Sequence, residues 1–225
     1  MKFKRLIAFL LLLFMTCGSV FAENKFAKVV LVGDLGCGKT AIWKRLMGEG
    51  FDPDELQSSD RLNGREITWT NGGDKITFKI WDTAGIDRRY EDVVDFTAGA
   101  HFVFIVHDLY RKLDESHRIY LSRIYRDVSA RIAPGGKIVL VGSKRDKRHL
   151  DIVNSAAQAR MLEEVAGHIP CAYVLTSAKD DGDPGMKTLI PYILENSRRM
   201  VLSKTRSPEG NVLRFHDPCK KCKKR

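Results

Sequence analysis

The residues best equipped for chemistry are Gly33-Asp34-Leu35-Gly36-Cys37-Gly38-Lys39-Thr40. They follow an apolar run, Val29-Val30-Leu31-Val32, and lead into a helix-forming stretch, Thr40–Met47. The spacing is G-x-x-x-x-G-K-S/T between a strand and a helix, the arrangement of a phosphate-binding loop. Glycines let the backbone curl until successive N–H groups converge on phosphate oxygens, and the helix behind turns its positive end to the same anion. Lys39 then reaches the outer phosphates, and the Thr40 hydroxyl ligates Mg²⁺. The alternative is a glycine-rich turn that binds nothing. With every fixed position present between the right flanks, the expectation is a nucleoside triphosphate held by Gly33, Leu35, Gly36, Cys37, Gly38, Lys39 and Thr40.

Four further segments fall at or beyond expected strand ends. In Trp81-Asp82-Thr83-Ala84-Gly85 a carboxylate closing a strand can hold Mg²⁺, and the Gly85 N–H can sense a terminal phosphate. Ser143-Lys144-Arg145-Asp146 offers a carboxylate that can accept both the ring N–H and the exocyclic amine of guanine. Adenine has no such donor pair, and the lysine stem can cover the ring face. Thr176-Ser177-Ala178-Lys179 follows the last strand, and Phe51 could stand edge-on against a base. Taken singly, the last three read as a solvated loop, a turn and a packed aromatic. In this order and spacing they support one another.

Positioning such loops requires a sheet that brings strand ends to one rim. Strands are expected at Ala27–Val32, Glu66–Thr70, Lys75–Trp81, Phe102–His107, Lys137–Val141 and Ala172–Leu175. Asn71-Gly72-Gly73 joins the second and third as a hairpin. Helical stretches are expected at Thr40–Met47, Ser116–Arg131, Asn154–Ala166 and Met186–Met200. The alternation predicts an α/β fold. Its sheet is mostly parallel and six-stranded with one antiparallel strand, and helices cover both faces in a three-layer P-loop NTPase sandwich. Ligands then lie beyond the carboxyl ends of the strands.

The chain resembles the small GTPases of the Ras superfamily, and most of all the Rab branch, over about residues 26–200. The likeness rests on the phosphate loop, Lys79-Ile80-Trp81-Asp82-Thr83-Ala84-Gly85, Ala98-Gly99-Ala100-His101, Leu140-Val141-Gly142-Ser143-Lys144 and Thr176-Ser177-Ala178-Lys179. The resemblance implies binding of GTP and GDP with Mg²⁺. It implies guanine contacts from Ser143, Lys144, Asp146 and the segment Ser177-Ala178-Lys179. It also implies two switch loops, around residues 51–62 and 84–96, that engage protein effectors and exchange factors, with vesicle trafficking as the setting.

Four departures bear on activity. Ser143 stands where the family has Asn or Thr, which predicts guanine binding weakened by about 1 kcal/mol. Ile86 replaces the glutamine that orients attacking water, and an isoleucine has no polar atom to offer. Leu35 adds bulk where it crowds that glutamine or an incoming arginine finger, a group that contributes on the order of 10³–10⁵ in rate. Slow hydrolysis follows, with no certain catalytic residue. The alternative is a hydrolysis-deficient module that sequesters trafficking partners. The switch threonine that would complete the Mg²⁺ shell is replaced by Ser58 or Ser59, with spacing favouring Ser58.

The 225 residues carry a net charge of +10, but eight of those positive charges sit at the ends: Lys2, Lys4 and Arg5, then Lys220, Lys221, Lys223, Lys224 and Arg225. A body near neutral argues against a nucleic-acid-binding face. Residues 1–22 read as a basic start, an apolar run and a small-x-small ending at Ala22: a signal peptide or, less favoured, a signal anchor. An exported chain must still meet a nucleotide that cytosols supply. Delivery into another cell's cytosol, a reversed anchor or a true start further downstream would each reconcile the two, and the first is preferred. The expected organisation is a leader at 1–22, a nucleotide-binding domain at 23–202 and a basic tail at 203–225. Cys219 and Cys222 in that tail lack the endings that specify prenylation, which leaves palmitoylation and membrane contact open.

Overall fold

The computed structural model describes residues 25–53, 62–71, 74–111, 114–146 and 172–197. The leader, the tail with Cys219 and Cys222, Ser58 and Ser59, the Gly72-Gly73 tip and the helix expected at 154–166 lie outside the described residues.

Along the chain run β1 (Lys25–Val32), α1 (Lys39–Leu46), β2 (Asn63–Asn71), β3 (Asp74–Asp82), α2 (Tyr90–Phe96), β4 (Phe102–Asp108), α3 (Glu115–Ser129), β5 (Lys137–Ser143), β6 (Ala172–Leu175) and α4 (Pro184–Ser197). They build one six-stranded sheet in the order β2-β3-β1-β4-β5-β6. Only the β2–β3 pair is antiparallel. This is the architecture the alternation of elements predicts, with most strands one or more residues longer than expected.

The central strand explains itself. Val29, Val30, Leu31 and Val32 are all fully buried, as a parallel strand covered on both faces requires. On one face Val29, Leu31, Phe78 and Phe104 pack with Ile42 and Leu46 of α1 and Leu189 and Ile193 of α4. On the other, Val30, Val32, Val103 and Ile105 pack with Val93 and Val94 of α2 and Leu121, Ile124 and Val128 of α3. Each such side chain contributes roughly 1.5–3 kcal/mol on burial.

Local chemistry sets where the helices begin. The Asp114 carboxylate accepts the His117 N–H at 2.9 Å and caps α3. Asp183 accepts the Met186 N–H at 2.8 Å, so α4 starts two residues ahead of the expected Met186. The sequence pattern gave no hint of α2. Its seven residues fully bury only Val93 and Val94, with Tyr90 and Phe96 packed at the core's edge, too short a stretch to establish a period. The α1 helix is fastened to the sheet by Trp43, whose indole N–H donates to the Ile80 carbonyl at 2.9 Å.

Candidate nucleotide-binding site

The phosphate loop leaves β1 under tight constraint. At Gly33 φ is +153°, and a Cβ there would fall 2.2 Å from the Val106 carbonyl oxygen, so β4 admits nothing larger. Gly38 (φ +101°) makes the left-handed turn into α1. Lys39 is buried, and its ammonium donates to the carbonyls of Gly33 at 2.9 Å and Asp34 at 2.8 Å. The loop's free thiol, Cys37, points inward. Burial pushes it up to about 11, so any ligand contact from this residue falls to its backbone.

Beside the loop, Thr40 and Asp82 meet. The Thr40 hydroxyl donates to Asp82 Oδ2 at 2.7 Å across 42 residues of sequence. Asp82 is fully buried, its Oδ1 has no hydrogen-bond partner, and desolvation pushes its carboxyl up to about 6 despite the Thr40 hydrogen bond and nearby Lys39. A buried carboxylate oxygen without a donor beside a hydroxyl suits a hard divalent cation. Among the described residues no cluster of three His, Cys, Asp or Glu could hold a metal. An ion here would therefore draw further ligands from phosphate and water, as Mg²⁺ does.

The segment after Asp82 folds back on the loop. Thr83 donates its hydroxyl to the Leu31 carbonyl at 2.7 Å. The Ile86 N–H donates to the Gly33 carbonyl at 3.0 Å, and its side chain is fully buried within the α2/α3-side core. Ile86 thus lacks a polar atom and also faces away from solvent. Leu35, half-buried, leans on Gly85: a Cβ on that glycine would lie 2.9 Å from Leu35 Cβ.

The opposite rim is assembled by side chains. Ser143 is buried, and its hydroxyl lies against the carbonyl oxygens of Cys37 and, at 3.0 Å, of His107. One hydroxyl hydrogen serves one of these acceptors at a time; an amide would serve both. Lys144 adopts φ +61° and sends its ammonium to the Gly36 carbonyl and to Asp108 Oδ2, each at 2.7 Å. Ser177 donates its hydroxyl to Asp146 Oδ1 at 2.7 Å, and the Arg145 N–H donates to the Thr176 carbonyl at 3.0 Å. The two expected base-recognition loops are therefore stitched together. Ala178 is buried beside them and Lys179 is exposed. Phe51 lies half-buried in the short segment after α1.

One feature went unread in the sequence. Asp34 receives hydrogen bonds from Arg111 Nη1 and the Tyr120 hydroxyl, both at 2.6 Å. Burial and that carboxylate push the Tyr120 hydroxyl well above its usual range. Partners 77 and 86 residues distant leave no local signal. His107 lies inside β4 with neither ring nitrogen hydrogen-bonded, stacked on Tyr173 at 6.3 Å. Burial, helped by His117, pushes it down to about 4.

Comparison with known proteins places this geometry. A sequence model described as the Ras family matches residues 28–189. Ras-related protein RABG3b of Arabidopsis thaliana is 31% identical over 177 residues, covering 68% of this chain and 75% of that protein. Ras-related protein SEC4 of Saccharomyces cerevisiae is 25% identical over 164 residues, covering 73% of this chain and 72% of that protein.

Proposed function

The chain belongs to the Ras family and resembles its Rab members, and from that premise we propose a guanine-nucleotide switch that binds GTP and GDP with Mg²⁺ and hydrolyses GTP slowly. One observation carries the reading: Lys39 and Lys144 both reach carbonyls of the single loop 33–38, and just past that loop Thr40 meets Asp82, all at one rim of the sheet. The loop's N–H groups and Lys39 hold the phosphates, while Asp146, steadied by Ser177, accepts guanine's donor pair. The stem of Lys144 covers the ring. Bound between Thr40 and Asp82, with Ser58 or Ser59 completing the shell, Mg²⁺ would neutralise phosphate charge.

Slow turnover rests on Ile86 being part of the core. No side chain at that position orients a water, and Leu35 over Gly85 narrows the approach for an arginine supplied by a partner. The same observation favours a second reading, a module that holds its partners without hydrolysing. The loops around 51–62 and 84–96 would present the nucleotide state to effectors and exchange factors of membrane trafficking. The basic tail would touch anionic membrane, and nucleic acid is no partner. The leader at 1–22 would deliver or anchor the domain at 23–202.

The test pairs titration of a fluorescent GDP, with Mg²⁺ and competing GTP or ATP, with single-turnover phosphate release. Competition by GTP and not ATP, with release far slower than nucleotide exchange, is the expected result. Absence of guanine-nucleotide binding would defeat the reading. Release too slow to measure selects the non-hydrolysing module.

A further inference from the structure

Asp87 lies outside the groups that would hold nucleotide or metal, yet it touches the phosphate loop. Its Oδ1 accepts the backbone N–H of Leu35 at 2.9 Å. Gly85 is caught between the two: a Cβ there would fall 2.6 Å from Asp87 Oδ1 and 2.9 Å from the Leu35 nitrogen. The contact is delivered by a braced turn. Next to Asp87, Ile86 is anchored by its N–H on the Gly33 carbonyl and its side chain in the core, and the Arg88 N–H closes onto the Gly85 carbonyl at 3.2 Å.

The amides of such a loop are donors for phosphate oxygens, and a carboxylate is an anionic acceptor of the same kind. Two anions cannot share one donor without strong mutual repulsion. The end of the loop that Asp87 occupies is the end against Gly85, whose N–H is the expected sensor of the terminal phosphate. We propose that Asp87 is a specificity-determining residue that favours the diphosphate: its carboxylate holds a donor on the terminal-phosphate side of the loop, so a triphosphate must expel it and a diphosphate need not. The proposal rests on the guanine-nucleotide reading above. Chemically, Asp87 acts as an internal competitor for the third phosphate, and the turn that bears it opens when that phosphate wins.

The experiment measures GDP and a non-hydrolysable GTP analogue, each with Mg²⁺, by displacement of a fluorescent GDP from the wild type, Asp87→Asn and Asp87→Ala. Asp87 is exposed, and thermal melting of the nucleotide-free proteins checks that both variants fold. The triphosphate-to-diphosphate affinity ratio should rise about fivefold to tenfold in both variants, through tighter triphosphate binding. An unchanged ratio, or a triphosphate bound more weakly, with GDP still binding, overturns the role of Asp87 alone. A folded wild type that binds neither nucleotide overturns the switch reading and this proposal with it.

Discussion

The two rims of the site are built by different means. At the phosphate rim the backbone does the positioning: Gly33 is wedged against β4, Gly38 turns left-handed into α1, and Ile86 is tied to Gly33 by main-chain hydrogen bonding. At the base rim, side chains reach back to grip what is already there. Lys144 and Ser143 take the carbonyls of Gly36 and Cys37, and Ser177 holds Asp146. Binding groups fixed by backbone are inseparable from the fold, whereas groups fixed by side chains can be lost with the fold intact.

The largest expected effect tests that difference directly. Lys39→Ala should weaken every nucleotide by about 100-fold or more, since a buried charged donor is lost. Asp146→Asn should cost GDP about 10- to 100-fold while leaving the melting temperature within a degree or two. Titration of GDP, GTP and ATP against both variants, beside melting curves, measures the contrast. A base-rim change that also unfolds the protein would break it.

Next in size is Ile86→Gln. A polar amide pushed into the α2/α3-side core loses apolar burial and lacks a partner, so stability should fall by about 3 kcal/mol in urea unfolding. Hydrolysis should not rise unless the turn flips outward. No loss of stability would mean that the turn is not braced as described.

The third prediction concerns pH. His107 is neutral in the folded chain down to about 4, whereas the unfolded chain takes up that proton near 6.5. The group's contribution is therefore complete above pH 6.5 and is lost as pH falls through that window toward 4. The loss should be on the order of 2–3 kcal/mol, and His107→Leu should flatten it. Chemical denaturation between pH 4 and 7.5 reads the slope; identical slopes in both proteins would remove His107 from the account.

The smallest effect belongs to Ser143→Ala. Only one hydrogen is lost from a hydroxyl that faces two carbonyls, so stability should fall by about 1 kcal/mol and GDP affinity by no more than a few-fold. A loss as large as that of Lys39→Ala would erase the distinction between the rims.

The same division governs what could be read from the sequence. Gly33, Gly38, Lys39 and Thr40 were legible because their spacing is itself the geometry, and Asp82 because it closes a strand beside them. The strands were legible as apolar runs, with β1 the clearest. The direction of Ile86 was not: residue type shows that it cannot hold water, but only the turn's hydrogen bond to Gly33 decides that it points into the core. The clasp of Arg111 and Tyr120 on Asp34 depends on α3 and the end of β4 arriving at one place, which no local pattern encodes. Ser143 was recognised as a substitution, yet its burial beneath the loop follows from the register of β5 on β4.

Trp43 carries a last consequence. It stands three residues beyond Thr40, and its indole is tied to Ile80, two residues before Asp82. Helix and strand are thereby clamped into one strut, and ligand entry must flex the segments at its ends. With Trp69 and Trp81 replaced by Phe, the emission of this indole should stay constant while nucleotides exchange and shift only when the strut itself comes apart, which makes Trp43 an optical gauge of unfolding.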